Sequence, residues 1–157
     1  SLYYSEKYNI DVRGLRGPWI FGPGRRKGST AFSSLIIQKP LQGERVTVPN
    51  LQGNWLYIKD FVHAFLTLYK AKDPKLGYYT VGGENKSTRE VAELVKKYIP
   101  NADIKIENKI SVAVRWVRGI NDKVFRKDFN WKPRYTIEEA IIDFIHEFKS
   151  NPDKYCI

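Results

Sequence analysis

Two helix-start signals of one kind, Ser87-x-x-Glu90 and Thr136-x-x-Glu139, each open an apolar run at helical spacing. In such a box the hydroxyl accepts from the amide three residues on. The carboxylate reaches back to the cap amide, so two otherwise orphaned donors are satisfied locally. Behind the first box come Val91, Leu94, Val95, Tyr98 and Ile99, and Pro100 ends the run. Behind the second come Ala140, Ile141, Phe144, Ile145 and Phe148. Short extended stretches lie around them: residues 10–15, then ERVTV, NWLYI, GYYTV and ADIKIE. Another helix is predicted from Thr30 and is expected to stop before Pro40, whose ring clashes with a continuing turn. A further one is expected behind Asp60 as its N-cap, with Phe61, Ala64, Phe65, Leu68 and Tyr69 facing inward. Strands alternate with helices throughout. That is an α/β pattern, with too few long apolar strands to complete a doubly wound sheet alone.

At 157 residues, with 42% hydrophobic and 28% charged side chains, the chain suits one globular domain with a real core. No apolar run approaches the ~18 residues of a membrane span. The single cysteine, Cys156, excludes an internal disulfide or a thiolate cluster and fits a reducing cytoplasm. Methionine is absent, no signal peptide opens the chain, and its first residues read as mid-helix, so a fragment of a longer protein is expected. The net charge of +10 fits a solvated Lys-rich surface, an anion site for a phosphate-bearing ligand, or a nucleic-acid face. Charge alone does not choose among them.

The stretch LRGPWIFGPGRR is more informative. A strand delivers Arg16 into a loop where Gly17, Gly22 and Gly24 allow close backbone approach, and Arg25, Arg26 and Lys27 follow. It reads either as a structural turn with an exposed basic tip or as a substrate-facing loop with an anion-binding rim. Arg115 and Arg118, in VRWVRG, stay open between surface charge and contact with a substrate phosphate. His63 and His146 read as surface or helix-packing residues, and Trp55, Trp116 and Trp131 as packing residues. Tyr3 and Lys7, four apart, would share a helix face, where an ammonium can lower a phenol's pKa for acid–base work.

Leu15-Arg16 and Phe21-Gly22-Pro23-Gly24 resemble the Leu-Arg-Pro strand end and Tyr/Phe-Gly-Pro-Gly loop of the extended short-chain dehydrogenase/reductases, the NAD-dependent epimerase/dehydratase family. YIKDFVHA is similar to that family's Tyr-Val-Asp-Asp helix start, with Asp60 and Ala64 in matching places. YYTVGGENKSTREVAELV resembles its strand, glycine turn and capped helix, and NDKVFRKDFNWKPRYTIEEAI its closing segment. Four segments in family order cover nearly the whole chain. The resemblance implies an α/β fold: the C-terminal part of a Rossmann-type enzyme, a small mixed sheet with flanking helices. It also implies that residues 1–157 are the substrate-binding portion and are inactive alone. The dinucleotide-binding part, its Gly-rich loop and the catalytic Tyr–Lys pair would lie upstream. In the family that pair begins a helix several turns long, whereas only Tyr8 and Asn9 separate Lys7 from Ile10. Tyr3 and Lys7 are therefore expected to form the tail of that helix. No catalytic residue and no metal ligand is expected in these residues.

The same resemblance implies NAD or NADP, held mainly by the upstream half, with the backbone of Gly17, Pro18 and Trp19 lining the nicotinamide end. Arg16 is expected to fix the loop. Arg25, Arg26, Arg115 and Arg118 are expected to grip substrate phosphates, since a guanidinium pairs bidentately with phosphate oxygens. The implied function is a nucleotide-sugar epimerase or dehydratase acting on a small molecule. A homodimer is compatible with it, and neither a membrane nor nucleic acid is an expected partner. Three departures pull elsewhere. Trp19 stands where many members carry Asn, and Gly53 falls near the place where members often carry a diphosphate-gripping arginine. Gly119 and Ile120 stand where charged substrate contacts are common. These leave open an NAD(P)-dependent reductase of an apolar, hydroxysteroid- or dihydroflavonol-like substrate. A basic nucleic-acid-binding module without enzyme activity is the reading of another class. It would need exposed aromatics, and the aromatics here fall at core-periodic positions.

Overall fold

The structure, a computed structural model, describes residues 2–108 and 119–155. β1 (Gly14–Arg16) runs parallel to β5 (Tyr78–Thr80), with Arg16 opposite Thr80. β2 (Trp19–Phe21) is parallel to β4 (Gln52–Tyr57), and β4 pairs antiparallel with β6 (Glu84–Ser87). β3 (Val46–Pro49) and β7 (Ile104–Glu107) make a further parallel pair. The helices are α1 (Leu2–Tyr8), α2 (Phe32–Leu41), α3 (Ile58–Lys70), α4 (Thr88–Tyr98), α5 (Lys123–Phe129), α6 (Ile137–Ser150) and α7 (Pro152–Tyr155). These are small mixed sheets with flanking helices, the fold class that the sequence implies. No helix among the described residues is long and apolar enough to cross a membrane.

β4 is the wall between two cores. Its residues from Gly53 to Tyr57 are all buried, because successive side chains leave a strand on opposite faces and both faces here are covered. Trp55 and Tyr57 enter the larger core, against Phe21, Ile36, Val91, Val95, Ile141 and Phe144 on β2, α2, α4 and α6. Leu56 enters the smaller one, with Ala64, Leu68, Tyr79, Val81, Phe125 and Trp131. Both capping boxes close as the sequence requires. The Ser87 and Thr136 amides donate to the Glu90 and Glu139 carboxylates at 2.7 and 2.8 Å, and each hydroxyl accepts from the N3 amide in return.

Three local expectations change. α2 begins at Phe32 rather than Thr30 and carries Pro40 inside its last turn. The ring forfeits one backbone bond, but the helix ends one residue later, and the amides of Gln42, Gly43 and Glu44 close the final carbonyls. Asp60 does not cap α3. Tyr57 holds the N-cap position without a side-chain bond, and Asp60 lies in the first turn, facing inward. Only Asp60, Ala64 and Leu68 form the buried stripe of α3, while Phe65 and Tyr69 stand 53% and 72% exposed.

The first strand is also shorter than residues 10–15, because Arg13 turns away to the end of α3. Its Nη1 donates to the carbonyls of Leu68, Tyr69 and Ala71 at 2.7, 3.2 and 2.6 Å, and Asp11 holds the guanidinium from the other side at 2.6 Å. These are the carbonyls a helix leaves unsatisfied at its C-terminus. Arg13→Ala should lower the melting temperature by a few degrees and speed amide exchange in the last turn of α3. Arg13→Lys should rescue little, because a single ammonium on a flexible stem cannot reproduce the planar fork. Full rescue by lysine would show that charge alone, not the fork, holds this corner.

Candidate functional site

In parallel α/β sheets, ligands sit beyond the carboxyl ends of the strands. At that end of the β1–β5 pair the chain leaves β1 as Arg16-Gly17-Pro18 and leaves β5 as Val81-Gly82-Gly83. The two exits are tied by the Val81 amide donating to the Arg16 carbonyl at 2.9 Å. The Arg16 side chain is exposed, and Gly17 and Pro18 are half-buried. Asn54, buried in the middle of β4, fixes the glycine turn. Its Oδ1 accepts from the Gly83 amide at 2.7 Å, and its Nδ2 donates to the Gly83 carbonyl at 3.1 Å and to Asn85 at 3.0 Å. A buried amide with its groups paired this way rigidifies what it touches.

Trp19 contributes no ring to this end of the sheet. It is 5% exposed and packs edge-on against Phe32 and Trp55, with centroids 5.1 and 5.3 Å away. Its six-membered ring lies over Gly53, so that a Cβ there would come within 2.6 Å of it. The two sequence departures are therefore one packing unit. An indole occupies the room that a side chain at position 53 would need.

The loop after β2 is fastened from several directions. Ser34 and Gln38 on α2 accept from the amides of Gly22 and Gly24 at 3.1 and 3.3 Å. Arg25 points inward, donating to the Ile20 carbonyl at 2.8 Å and to Thr30 Oγ1 at 2.6 Å. Arg26 donates to the Tyr155 carbonyl at 2.7 Å. Both guanidiniums thus hold the loop itself. Arg115 and Arg118 lie outside the described residues, as does Trp116, while Gly119 is exposed and Ile120 packs over Gly82.

At the start of α3, Asp60 is fully buried and accepts from the amides of Arg134 and Tyr135 at 2.9 and 3.3 Å, pinning the loop that leads into α6. Burial raises its carboxyl pKa, against the pull of those two amides. His63 has partners that its sequence position does not suggest. Its Nδ1 accepts from Trp131 Nε1 at 3.0 Å, its ring stacks on that indole, and Arg134 stands 2.7 Å from Nε2. Burial and the Arg134 charge hold the imidazole below its usual pKa. It is a packing histidine.

Tyr3 and Lys7 do meet, Lys7 Nζ donating to the Tyr3 hydroxyl at 3.0 Å. They lie on the solvent side of the seven-residue α1, and Tyr3 is 61% exposed. Sequence reading passed over Asn54, Ser34, Gln38 and Tyr155. Asn54 had a signal, being an amide set directly before the apolar run Trp55-Leu56-Tyr57 of β4. The others act only through contacts distant in sequence.

A profile described as the NAD dependent epimerase/dehydratase family matches residues 1–82. The mitochondrial L-threonine 3-dehydrogenase of Bos taurus is 23% identical over 154 residues, 92% of this chain and 41% of that protein. The structure of a GalE-like L-threonine dehydrogenase from Cupriavidus necator, in its holo form, superposes with a TM-score of 0.81 at 24% identity, over 94% of this chain and 51% of that one. UDP-glucose 4-epimerase from Thermotoga maritima, solved with UDP-glucose, gives 0.78 at 17% identity, over 96% and 50%. At such identities the structural likeness is one of fold. The chain spans about half the length, or less, of each of these proteins.

Proposed function

The chain belongs to the NAD dependent epimerase/dehydratase family, and from that premise we propose that it forms the substrate-binding side of an NAD(P)-dependent enzyme. The dinucleotide-binding half and the catalytic tyrosine–lysine pair would be supplied by residues outside these 157. The observation that carries this reading is the joined carboxyl end of β1 and β5. There Arg16, Gly17 and Pro18 leave β1 beside the glycine turn that Asn54 holds, the two exits tied by the Val81–Arg16 bond. The fit to a dinucleotide is partial. The half-buried Gly17–Pro18 segment could lie against a nicotinamide ring, although Ile20 and Phe61 already fill the side of Gly17 where a Cβ would stand. No strand here leads into a Gly-x-Gly-x-x-Gly phosphate cradle. Bound there, a nicotinamide would accept or return a hydride from a substrate carbon. This chain's residues would orient that carbon and keep water from it.

Two substrate readings follow. A nucleotide sugar is the first, with Arg25, Arg26, Arg115 and Arg118 as its phosphate grips. The second is a compact substrate without a diphosphate: an apolar alcohol or ketone, or an amino-acid alcohol such as L-threonine, on which the named dehydrogenases act. Trp19 filling the space over Gly53, with Arg25 and Arg26 turned onto the protein's own carbonyls, favours the second. The test uses protein containing both halves, with NAD+ or NADP+, and follows reduced nicotinamide at 340 nm with unphosphorylated secondary alcohols, and product formation with UDP- and dTDP-sugars. Turnover of a secondary alcohol with no conversion of any nucleotide sugar is expected. Conversion of a nucleotide sugar would restore the first reading. In the same assay Tyr3→Phe should keep turnover within a few-fold, because an exposed pair on a short helix end is not the acid–base dyad. Loss of a catalytic tyrosine would cost ~10²–10⁴-fold.

A further inference from the structure

The loop that follows β2 is closed by the other end of the chain. Tyr155, the last residue of α7, is buried and stacks on Phe148 of α6 at 5.7 Å, with its hydroxyl donating to Glu147 at 2.8 Å. Its ring edge lies 3.3 Å from the position that a Cβ on Gly24 would take. Gly24 itself sits at φ +85°, the left-handed region, so the loop's turn is set where the tyrosine covers it. Two residues further along the loop, Arg26 donates to the main-chain carbonyl of the same Tyr155. The same short turn therefore lays a ring beside Gly24, which stays exposed on its other side, and anchors the loop with a charge-assisted bond. Ser34 and Gln38 hold the loop from the opposite side.

We propose that α7 is a latch that sets the conformation of the loop spanning residues 22–28, with Tyr155 as a positioning residue and Arg26 as its bolt rather than a substrate ligand. That the latched loop serves a substrate rests on the function proposed above; the latch itself does not. A ring at 155 gives the loop a surface to pack on, and the carbonyl gives Arg26 a fixed acceptor. Without them the loop still has, among the described residues, the two amide bonds to α2, the inward turn of Arg25 and the Ala31 amide on the Gly28 carbonyl. The loop should then open more readily than the core, since Tyr155 sits at the margin of the larger core, 7% exposed, whereas Ile36, Val95 and Ile141 are fully buried.

Amide hydrogen exchange on the protein containing both halves decides it without requiring turnover. Tyr155→Ala should speed exchange at residues 22–28 by roughly tenfold or more, with amides of Ile36, Val95 and Ile141 unchanged. Tyr155→Phe keeps the ring and the carbonyl, loses only the bond to Glu147, and should restore the protection. Arg26→Ala should speed exchange in both partners, residues 22–28 and residues 152–155. No change in the loop, or a rise shared equally by loop and core, would overturn the latch. On active enzyme, Tyr155→Ala should raise KM and leave kcat in place, with Tyr155→Phe near wild type. Faster loop exchange with an unchanged KM would keep the latch and overturn its service to the substrate.

Discussion

Gly53→Arg is expected to destabilise the protein by about 3 kcal/mol or more, rather than to add a working cation to the site. Trp19 is boxed by Phe32 and Trp55, and a Cβ at 53 would stand 2.6–2.9 Å from three of its ring carbons. The indole cannot retreat without moving a neighbouring aromatic, and overpacking a full core costs about 1–3 kcal/mol before charge is considered. A guanidinium held there without a partner would add the penalty of an unpaired buried ion. Trp19→Ala alone should cost about 3–5 kcal/mol, the usual result of emptying a buried aromatic site. The double variant should be less destabilised than the sum by at least about 1 kcal/mol, because the arginine stem can then enter the vacated space. Urea denaturation of the two single variants and the double variant measures that coupling. Strict additivity, or a Gly53→Arg protein as stable as wild type, would refute the packing unit and with it the structural case against a diphosphate.

What the sequence discloses about this chain depends on how far apart the cooperating residues lie. Both capping boxes were legible because each is complete within four residues, and the helices behind them follow the apolar spacing in outline. Val91, Val95, Ala140, Ile141, Phe144 and Phe148 are buried, while Leu94, Tyr98 and Ile145 are half-buried. The strand order was legible only as a class. Parallel pairing of β1 with β5, and of β3 with β7, joins segments about sixty residues apart, and no local pattern specifies that. Asp60 looked like a cap because an aspartate before an apolar helix usually is one. A loop more than seventy residues downstream claims its carboxylate instead. Arg25 and Arg26 looked like an anion-binding rim for the same reason, since sequence shows charge but not direction. Among the described residues they donate to Ile20, Thr30 and Tyr155, and of these only Tyr155 is remote enough to have been invisible. Position 53 shows the opposite case. Two separate oddities in the sequence, a tryptophan and a glycine, have a single cause that needs coordinates to see.

Asp60→Ala should be among the most damaging single changes outside the apolar core, costing about 3–4 kcal/mol. Its carboxylate is fully buried and is the acceptor for two main-chain amides, those of Arg134 and Tyr135. Alanine leaves both donors buried without an acceptor, at about 1–3 kcal/mol each, and adds a small void. The damage should not stay local. The amides belong to the loop that sets the start of α6, so Thr136 and its capping box would lose their fixed entry angle. Asp60→Asn should recover only part, because its single oxygen can serve one amide well while its NH2 confronts the other donor. The carboxyl's pKa is raised in the folded protein, so its contribution is fullest below the ordinary aspartate pKa of about 3.9 and declines as pH rises through the raised value. The stability gap between wild type and Asp60→Ala should therefore narrow from pH 4 to pH 7 without closing, because the two amide bonds persist with the ionised carboxylate. Parallel urea titrations at the two pH values read this directly. A gap that widens over the same range would mean that the amides outweigh burial, and a gap under about 1 kcal/mol at both would mean that solvent replaces the carboxylate.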